Sequence, residues 1–507
     1  MSSRLKLCVD TQFIVKQSFK LCTLLEIAVN LMQVLHVEFV MKVDIHIKNF
    51  GKIRDAQIAV RPFTVIAGVN SSGKSFISRA LYSLFNNINK DHFFLEVSES
   101  ISSITDVLNY SSHLLIRSQP TSHINNLNSD LHHIFQQASR YLHRYPDVGF
   151  FEQGYLYRNI SISLKSLDRI FESILSETQD KKKYLDYNDT IVYTRHKVRR
   201  LINSLSKYDY VMSNRLSSEI KDSLLENFQV RGINDLKNSR YPNEETSFDI
   251  SNLGHVIFEN DSLSSRFSVD GLVEYKNLRN VAFIESPMYW KLKSVLESRR
   301  NDIEFRNNAN FNKSEILTGV PQHFFDLVDL LEEKFKSNEN DIPIDCFSQI
   351  NEQLDGELDI SESGDIVFKD NGSGKELGLH STATGIANLG IISLLIKKGI
   401  INKGSFLFID EPESNLHPAW QGVMVDTLYK LSLCGVNVVV TTHSLDMMQK
   451  IENIISNSHE SDDHFAINIL NDSGLSIENE SPLFKKVAVI KEELGTPFYD
   501  SYIDSIW

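Results

Sequence analysis

The sequence has few cysteines and no long apolar run. Its 4 cysteines, among 507 residues, have no spacing typical of a metal site or a disulfide framework, which suits a reducing cytoplasm. The most apolar stretch, residues 21–41, is interrupted by Glu26, Asn30, His36 and Glu38, so nothing reaches the roughly 18 apolar residues of a membrane helix. Net positive charge is also lacking, since the formal charge is −14. We therefore expect a cytoplasmic protein without membrane segments that does not adhere indiscriminately to nucleic acid.

The length predicts two or more structural units, because 507 residues exceed what one core usually serves. Residues 1–40 lack capping and turn signals, whereas an alternating strand begins just after Met41. We interpret residues 1–40 as a non-native or disordered N-terminal extension and Met41 as the biological start. A secretory signal is the rival interpretation, but no compact apolar core or small-residue cleavage site follows Arg4 and Lys6.

A glycine-rich loop at residues 68–75 matches the phosphate-binding pattern G-x-x-x-x-G-K-[ST]. A short apolar run, residues 63–67, precedes the loop, and apolar residues at helical spacing follow it. Strand, loop and helix thus come in the order that turns successive amide groups toward a phosphate at a helix N-terminus. An ordinary glycine turn is the alternative. The residues predicted to bind nucleotide here are Gly68, Val69, Asn70, Ser71, Ser72, Gly73, Lys74, Ser75 and Phe76.

The last residues of this pattern carry the chemistry. Lys74 is predicted to place positive charge on the β- and γ-phosphates of ATP, and the Ser75 hydroxyl is predicted to be a Mg²⁺ ligand. ATP and Mg²⁺ are therefore the expected substrate and cofactor.

Residues 91–246 are polar, poor in glycine and helical by period, which predicts a helical arm inserted into the ATPase head. A basic patch lies within the arm. Such a patch is either a solvated helix face or a contact surface for nucleic acid or an acidic partner, and both alternatives stay open. Its central residues are Arg195, Lys197, Arg199 and Arg200.

An acidic strand end later in the chain complements the phosphate loop. Residues 405–409 form an apolar strand that ends in Asp410 and Glu411. Asp410 is predicted to hold Mg²⁺, directly or through water, and Glu411 to polarise the water that attacks the γ-phosphate. A second buried strand ends just before His443, which we place at the same sheet edge within reach of the γ-phosphate. The alternative is a structural histidine.

Glu285 also follows an apolar strand, residues 281–284. A polar side chain at this place either faces the nucleotide or belongs only to a turn that ends the strand. The sequence does not decide between the two.

Residues 68–75, 410–418 and 441–444 together resemble the ABC-type ATPases of the structural-maintenance, RecF and overcoming-lysogenization-defect group. By that resemblance, residues 414–418 correspond to a D-loop that contacts a second subunit, and His443 to the switch histidine. Gly385 lies in a signature motif that departs from the family pattern at Ala383 and Thr384. The resemblance implies a head-to-head homodimer, or a higher oligomer, in which Gly385 closes on nucleotide held by the other subunit's Lys74.

The resemblance also predicts the architecture. It implies an α/β fold: an ABC-ATPase head, with a mixed sheet around the phosphate loop and an antiparallel β subdomain, into which a large helical arm is inserted. We divide the chain into the extension 1–40, the head at 41–90 and 247–480, the arm at 91–246, and a C-terminal helical tail at 481–507.

Overcoming-lysogenization-defect nucleases carry a Toprim domain after the switch histidine, which needs a glutamate and an aspartate pair, and no D-x-D pattern occurs after His443. We therefore expect an ATPase with no nuclease active site in this chain. An ATPase head of this kind resembles the ATPase subunit of Septu-type and retron-associated anti-phage systems. That subunit works with an HNH endonuclease and, in the retron version, with a reverse transcriptase and its RNA–DNA hybrid. A RecF-like or SMC-like repair or chromosome-maintenance ATPase is the first alternative, and the ATP-binding subunit of a membrane transporter is the second.

Overall fold

A computed structural model describes most of the chain from Met41 onward. The described residues are 41–143, 150–179, 181–268, 271–272, 275, 278, 280–309, 318–332, 342–343, 345–362, 364–458, 462–477 and 481–504. The predicted N-terminal extension at residues 1–40 lies outside them. None of the helices described in these ranges is both long and apolar enough to cross a bilayer.

A five-stranded parallel sheet forms the centre of the head. Its strands are β3 (Phe63–Gly68), β7 (Val281–Ile284), β11 (Phe406–Asp410), β12 (Asn437–Thr442) and β13 (Phe465–Leu470). The spatial order is β13-β3-β12-β11-β7, and every neighbouring pair is parallel. All residues of the five strands are buried, as expected for a parallel sheet covered on both faces.

A five-stranded antiparallel sheet packs against one face of this centre. It contains β1 (Val43–Phe50), β2 (Ile53–Val60), β4 (Thr246–Ile250), β5 (Gly254–Glu259) and β6 (Ser262–Phe267), in the order β2-β1-β4-β5-β6. The alternating residues Val43, Ile45 and Ile47 are buried in the core that this sheet shares with Ile66 of β3. The polar residues between them face outward, because side chains of a strand alternate between its two faces.

Helices cover the parallel sheet. The phosphate loop leads into α1 (Lys74–Ile88), on the face shared with the antiparallel sheet. The other face carries α9 (Gln322–Glu332), α10 (Asp345–Leu354), α11 (Thr384–Lys397), α12 (Pro418–Leu433), α13 (Leu445–Asn457) and α14 (Leu483–Asp504). Two further helices follow β7, namely α7 (Pro287–Lys291) and α8 (Lys293–Ala309). A small antiparallel sheet of β8 (Gly356–Ile360), β9 (Ile366–Asp370) and β10 (Glu376–Gly378) precedes α11.

The arm is helical, as predicted. It consists of α2 (His92–Arg117), α3 (Ser122–His143), α4 (Phe150–Thr178), α5 (Leu185–Ser206) and α6 (Tyr208–Phe228). The first four share a core of their own, whose members include Ile104, Leu131, Leu164 and Ile191. In contrast, Leu216, Ile220 and Leu224 of α6 are buried in the core of the head, so α6 is the helix that joins arm and head. The predicted fold class, an ATPase-type α/β head with an inserted helical arm, is confirmed. The sheet around the phosphate loop, which was predicted to be mixed, has only parallel neighbours, because the antiparallel strands form a separate sheet.

Candidate functional site

The phosphate loop and the acidic strand meet at one edge of the parallel sheet. Strand β12 lies between β3 and β11, and the register aligns Asp410 with Thr441 and Thr441 with Ile66. Because the strands are parallel, their carboxyl ends lie side by side. The structure therefore brings residues 68–75, Asp410 and His443 to the same edge, although more than three hundred positions separate the first from the others.

The loop conformation leaves the start of α1 open to an anion. Gly73 precedes the helix with φ of 104° and, having no side chain, offers no cap to the amide groups of the first turn. A side chain at Gly73 would be strained at this φ and would also meet Ile53 Cδ1 at 2.5 Å. No acidic residue occupies the first turn of α1. The helix thus begins with unneutralised amide groups and the positive end of its dipole, the arrangement that binds phosphate.

Lys74 is buried beneath the loop, with only 3% of its surface exposed. Its Nζ donates hydrogen bonds to the carbonyl oxygens of Gly68 at 3.0 Å and Val69 at 2.9 Å. Burial lowers the pKa of Lys74, while the negative charges of Glu411, Asp410 and Glu413 act in the opposite direction. The ammonium group of Lys74 therefore interacts electrostatically with the predicted acids Asp410 and Glu411.

Asp410 is held by one hydroxyl group and has a second one nearby. Thr441 Oγ1 donates to Asp410 Oδ1, and the Ser75 hydroxyl lies near enough to lower the pKa of this carboxylate. Burial raises the pKa of Asp410, and both hydroxyl groups oppose that shift. The two residues predicted to hold Mg²⁺, Ser75 and Asp410, are thus neighbours at this edge of the sheet. A hydroxyl and a carboxylate are oxygen donors of the kind that Mg²⁺ prefers.

Glu411 adopts an uncommon backbone conformation. Its φ is 48°, a left-handed value that costs a residue other than glycine about 1–3 kcal/mol. Its N–H donates to the carbonyl oxygen of Thr441 at 3.2 Å and to Thr441 Oγ1 at 3.1 Å, which holds the turn in place. The side chain stays 35% exposed at the sheet edge. Strain of this kind is typical of functional sites, because the surrounding structure must maintain it.

His443 lies between two carboxylates. Its Nδ1 is 3.3 Å from Glu411 Oε1 and also 3.3 Å from Glu413 Oε1. The sequence prediction placed His443 at this edge but did not identify Glu413 as its neighbour. The nearest available signal was the third acid of the run that begins at Asp410.

The tip of the loop is more open than its base. Asn70 and Ser71 are exposed, Val69 and Gly73 are half-buried, and Ser72 is buried. Lys52, on the turn between β1 and β2, donates to the carbonyl oxygen of Ser71. This lysine extends the positive charge around the loop and was not predicted from the sequence.

Phe76 points away from the loop. Its ring packs against Phe50 of β1, with 5.8 Å between centroids, and against Phe228 at the end of α6, with 4.8 Å between centroids. Its side chain therefore belongs to an aromatic cluster that joins the loop helix to the arm. Any contact of Phe76 with nucleotide, as predicted, is left to its backbone.

Gly385 lies beside the predicted D-loop of its own chain. A Cβ atom at Gly385 would lie 3.1 Å from Leu416 of the predicted D-loop and 3.4 Å from Trp420 of α12. In addition, Asn388 of α11 donates to the carbonyl oxygen of Ser414 at 3.2 Å. The signature helix and the D-loop are thus packed on each other, and the role of Gly385 toward a second subunit stays a prediction.

Glu285, whose role the sequence left undecided, takes part in a polar network. Its carboxylate pairs with Arg79 of α1 and lies 3.0 Å from His323 Nε2 of α9, and its charge reaches Asp410. The adjoining Ser286 caps α7, so this place is also the predicted turn. Beyond His323, the Asn227 side chain of α6 accepts from the His323 N–H at 2.7 Å and donates to Ser83 Oγ at 3.0 Å. A continuous set of contacts therefore joins the phosphate-loop helix to the helix that carries the arm.

The basic patch of the arm is largely engaged within the arm. Arg195 pairs with Asp168 at 2.7 Å and with Glu172 at 2.5 Å, and Arg199 pairs with the other oxygen of Asp168 at 3.0 Å. Lys197 donates to Ser103 Oγ at 2.6 Å, and Arg200 is exposed. These contacts favour the structural interpretation of the patch over a nucleic-acid surface.

Comparison with known families agrees with this site. The family model described as AAA ATPase domain matches residues 41–448, which include the phosphate loop, Asp410, Glu411 and His443. The chain belongs to the AAA ATPase domain family. This membership confirms the predicted class of ATPase, whereas the likeness to Septu-type subunits stays a prediction. A comparison with curated proteins gave no match.

Several solved structures are similar to the chain. One is an Smc head bound to the C-winged helix domain of ScpA, with a TM-score of 0.34 and 12% identity over 87% of this chain and 94% of that chain. The SMC head domain from Thermotoga maritima has a TM-score of 0.31 and 10% identity over 87% of this chain and 100% of that chain. An Smc head domain from Pyrococcus yayanosii has a TM-score of 0.29 and 15% identity over 90% and 99%. Because these scores are low, the family assignment depends on the family model.

Proposed function

We propose that the chain is a Mg²⁺-dependent ATPase whose nucleotide-bound dimer controls a separate effector. The observation that carries the proposal is that the strand register brings Asp410 to the sheet edge that carries Ser75 and the buried Lys74. Phosphate-binding and cation-binding groups from distant parts of the chain converge there. The family membership supports ATP as the nucleotide.

Phosphate binding is assigned to the loop and its lysine. In the described state Lys74 Nζ is bound to the Gly68 and Val69 carbonyl oxygens, which are neutral acceptors. A phosphate oxygen is a stronger partner for an ammonium group, because hydrogen bonds between charged groups are about twice as strong as neutral ones. ATP therefore draws Lys74 from the carbonyl groups, while the amide groups at the start of α1 bind the phosphates.

The cation is assigned to Ser75 and Asp410, which would hold Mg²⁺ between them. When bound, it would neutralise charge on the phosphates. A cation also suits the electrostatics, because burial raises the pKa of Asp410 and a positive charge beside the carboxylate would oppose that shift.

Glu411 is assigned the role of general base. It lies one residue beyond Asp410, the proposed cation ligand, at the turn that ends the strand. Its side chain is partly exposed, as contact with an attacking water requires. His443 faces the same carboxylate and is assigned to contact the γ-phosphate. The contact between His443 and Glu411 makes the base sensitive to the position of the histidine.

Two copies are required for the complete site in this proposal. Gly385 and the D-loop, residues 414–418, pack together in one chain and would close on nucleotide held by the other chain's Lys74. Closure can reach the arm because Phe76 packs on Phe228, and because Glu285, His323 and Asn227 connect α1 to α6. ATP binding then favours one arrangement of the two arms in the dimer, and ATP hydrolysis allows the arms to return to the other arrangement.

The proposed effector is a separate nuclease in bacterial anti-phage defence of the Septu or retron type. An HNH endonuclease is the proposed partner, with a reverse transcriptase and its RNA–DNA hybrid in the retron version. This assignment rests on the resemblance of the motifs in the head and on the architecture, an ATPase head with a helical insertion. A neighbouring reading frame for an HNH endonuclease would support it, whereas replication or repair genes would favour the RecF-like alternative.

The RecF-like or SMC-like alternative predicts binding of duplex DNA with a strong salt dependence. Replacing Arg200, the exposed member of the basic patch, together with Arg195, Lys197 and Arg199 should then abolish binding. We expect no such binding by the isolated chain, because Arg195 and Arg199 already have carboxylate partners. Tight, salt-sensitive binding that the substitutions remove would establish the alternative.

ATP turnover by the purified chain tests the proposed function directly. We expect hydrolysis that requires Mg²⁺, and a dimer that accumulates when Glu411→Gln is mixed with ATP, as seen by light scattering. Absence of nucleotide binding and of turnover in the wild-type chain would contradict the proposal.

A further inference from the structure

Glu413 is a buried carboxylate to which the proposed reaction gives no role. Only 7% of its surface is exposed, and it lies three residues beyond Asp410, just before the D-loop. Burial raises the pKa of Glu413, while the N–H of His443 and the hydroxyl of Thr442 oppose that shift. Burial of an acid is costly unless the acid is paired or hydrogen-bonded, so the presence of Glu413 calls for a physical reason.

The contacts of Glu413 converge on the segment that carries His443. One oxygen, Oε1, accepts from Thr442 Oγ1 at 2.8 Å and from the His443 N–H at 2.8 Å. The same oxygen is 3.3 Å from His443 Nδ1. Glu413 therefore binds the main chain of the histidine through the same oxygen atom that lies near the ring. Its second oxygen, Oε2, is buried without a hydrogen-bond partner among the described residues.

His443 Nδ1 has two competing neighbours. Glu411 Oε1 and Glu413 Oε1 are equally distant from it, and neither makes a hydrogen bond of good geometry in the described part of the chain. One N–H can donate fully to only one of the two carboxylates. If it donates to Glu411, the general base loses an acceptor site for water. If it donates to Glu413, Glu411 is available.

The ring has room to move between these partners, so its position must be held by specific contacts. A cavity of about 350 Å³ adjoins it. The lining residues include Glu413, Gln421, His443, Ser444, Asp446 and Leu494.

We propose that Glu413 is a positioning residue that binds the Nδ1 edge of His443, so that Glu411 is free to act on water. The inference rests on the proposed function, because it assigns a role within the same ATPase site. A carboxylate that orients a histidine through Nδ1 and leaves the opposite ring nitrogen for the reaction is a general device in enzymes.

A double-mutant cycle with Glu413→Gln and His443→Ala tests the inference. Glutamine keeps the shape and one oxygen acceptor for Thr442 and the His443 N–H, but removes the charge that attracts Nδ1–H. We expect kcat for ATP to fall about tenfold or more with KM little changed, since the loss affects the base and not nucleotide binding. In the His443→Ala background, Glu413→Gln should have no further effect on kcat.

Asp446→Asn is the matched control. Asp446 lines the same cavity from the exposed first turn of α13, and its neutralisation should leave kcat unchanged. If Glu413→Gln does not fold, Glu413→Asp replaces it in the cycle, because aspartate keeps the charge but withdraws it by one methylene group.

Two other outcomes are distinct. A wild-type chain that neither binds nor hydrolyses ATP overturns the proposed function and this inference with it. A wild-type chain that hydrolyses ATP, with Glu413→Gln either fully active or additive with His443→Ala, overturns this inference alone. Additivity would mean that Glu413 only stabilises the turn.

Discussion

The head and the arm arrange their charges in opposite ways. In the arm, Arg195 and Arg199 share the carboxylate of Asp168, and the pairs lie at the surface. At the sheet edge of the head, Asp410, Glu411 and Glu413 surround the buried Lys74. The surface charges of the arm are paired with each other, whereas the three acids at the sheet edge outnumber the one lysine with which they interact. The comparison supports the proposal that a cation and its nucleotide complete the site in the head.

Glu411→Gln should have the largest effect on function. Loss of a general base lowers turnover by about 10²-fold or more, while ATP binding persists because the loop and Lys74 are intact. Steady-state hydrolysis and a nucleotide-binding assay measure the two separately. The exposed Glu259→Gln serves as a control that should hydrolyse normally. Unchanged turnover in Glu411→Gln would remove Glu411 from its assigned role.

Lys74→Ala should weaken nucleotide binding itself. A hydrogen bond between charged groups contributes about 1.5–3 kcal/mol, so the Kd for ATP should rise about 10-fold to 100-fold. Titration calorimetry measures this change. Lys181→Ala removes the same charge from the exposed surface of the arm and should bind ATP as the wild type does. Equal affinities of Lys74→Ala and Lys181→Ala for ATP would show that Lys74 does not bind nucleotide, and would refute the proposed difference between head and arm.

Glu285→Ala should destabilise the head. The substitution leaves Arg79 and His323 without their shared carboxylate in a largely buried place, at a cost of about 2 kcal/mol. Thermal unfolding should show a lower midpoint, and Glu376→Ala at an exposed position should not. If both variants unfold at the wild-type temperature, the network does not contribute to stability.

Asp168→Asn should have the smallest effect. The Arg195 and Arg199 guanidinium groups hold the pKa of Asp168 below its ordinary value, but the side chain is 37% exposed, so its loss should cost less than about 1 kcal/mol. Because the pKa of Asp168 is lower in the folded than in the unfolded protein, ionised Asp168 stabilises the fold at any pH above its unfolded pKa of about 3.9. This stabilisation is lost as the pH falls through the folded pKa. The difference in unfolding midpoint between wild type and variant should therefore shrink below about pH 4. ATP turnover should be unaffected, and a large loss of turnover would contradict the division between arm and head.

The sequence predicted those parts of the site that local pattern determines. The glycines around Lys74 and the acids after a buried strand are short motifs with fixed geometry, and the alternation of Val43, Ile45 and Ile47 reveals one buried face. The helical period likewise predicted the arm.

The contacts between distant elements were beyond the sequence. Nothing near Glu285 indicates that Arg79 and His323 are its partners, because these contacts depend on how β7, α1 and α9 pack. The turn of Phe76 toward Phe228 has the same origin. The left-handed φ of Glu411 was also missed, since tertiary contacts with Thr441 impose it against the residue's own preference.

The Mg²⁺ dependence of ATP binding tests the central claim most directly, because it joins the group that holds the phosphates to the group that holds the cation. The affinity for ATP should be measured with and without Mg²⁺ for the wild type and for Asp410→Ala. We predict that Mg²⁺ tightens binding to the wild type and that this gain is lost in Asp410→Ala, with the Mg²⁺-free affinity retained. An equal response to Mg²⁺ in both proteins would show that Asp410 does not serve the nucleotide held by Lys74, and it would contradict the account.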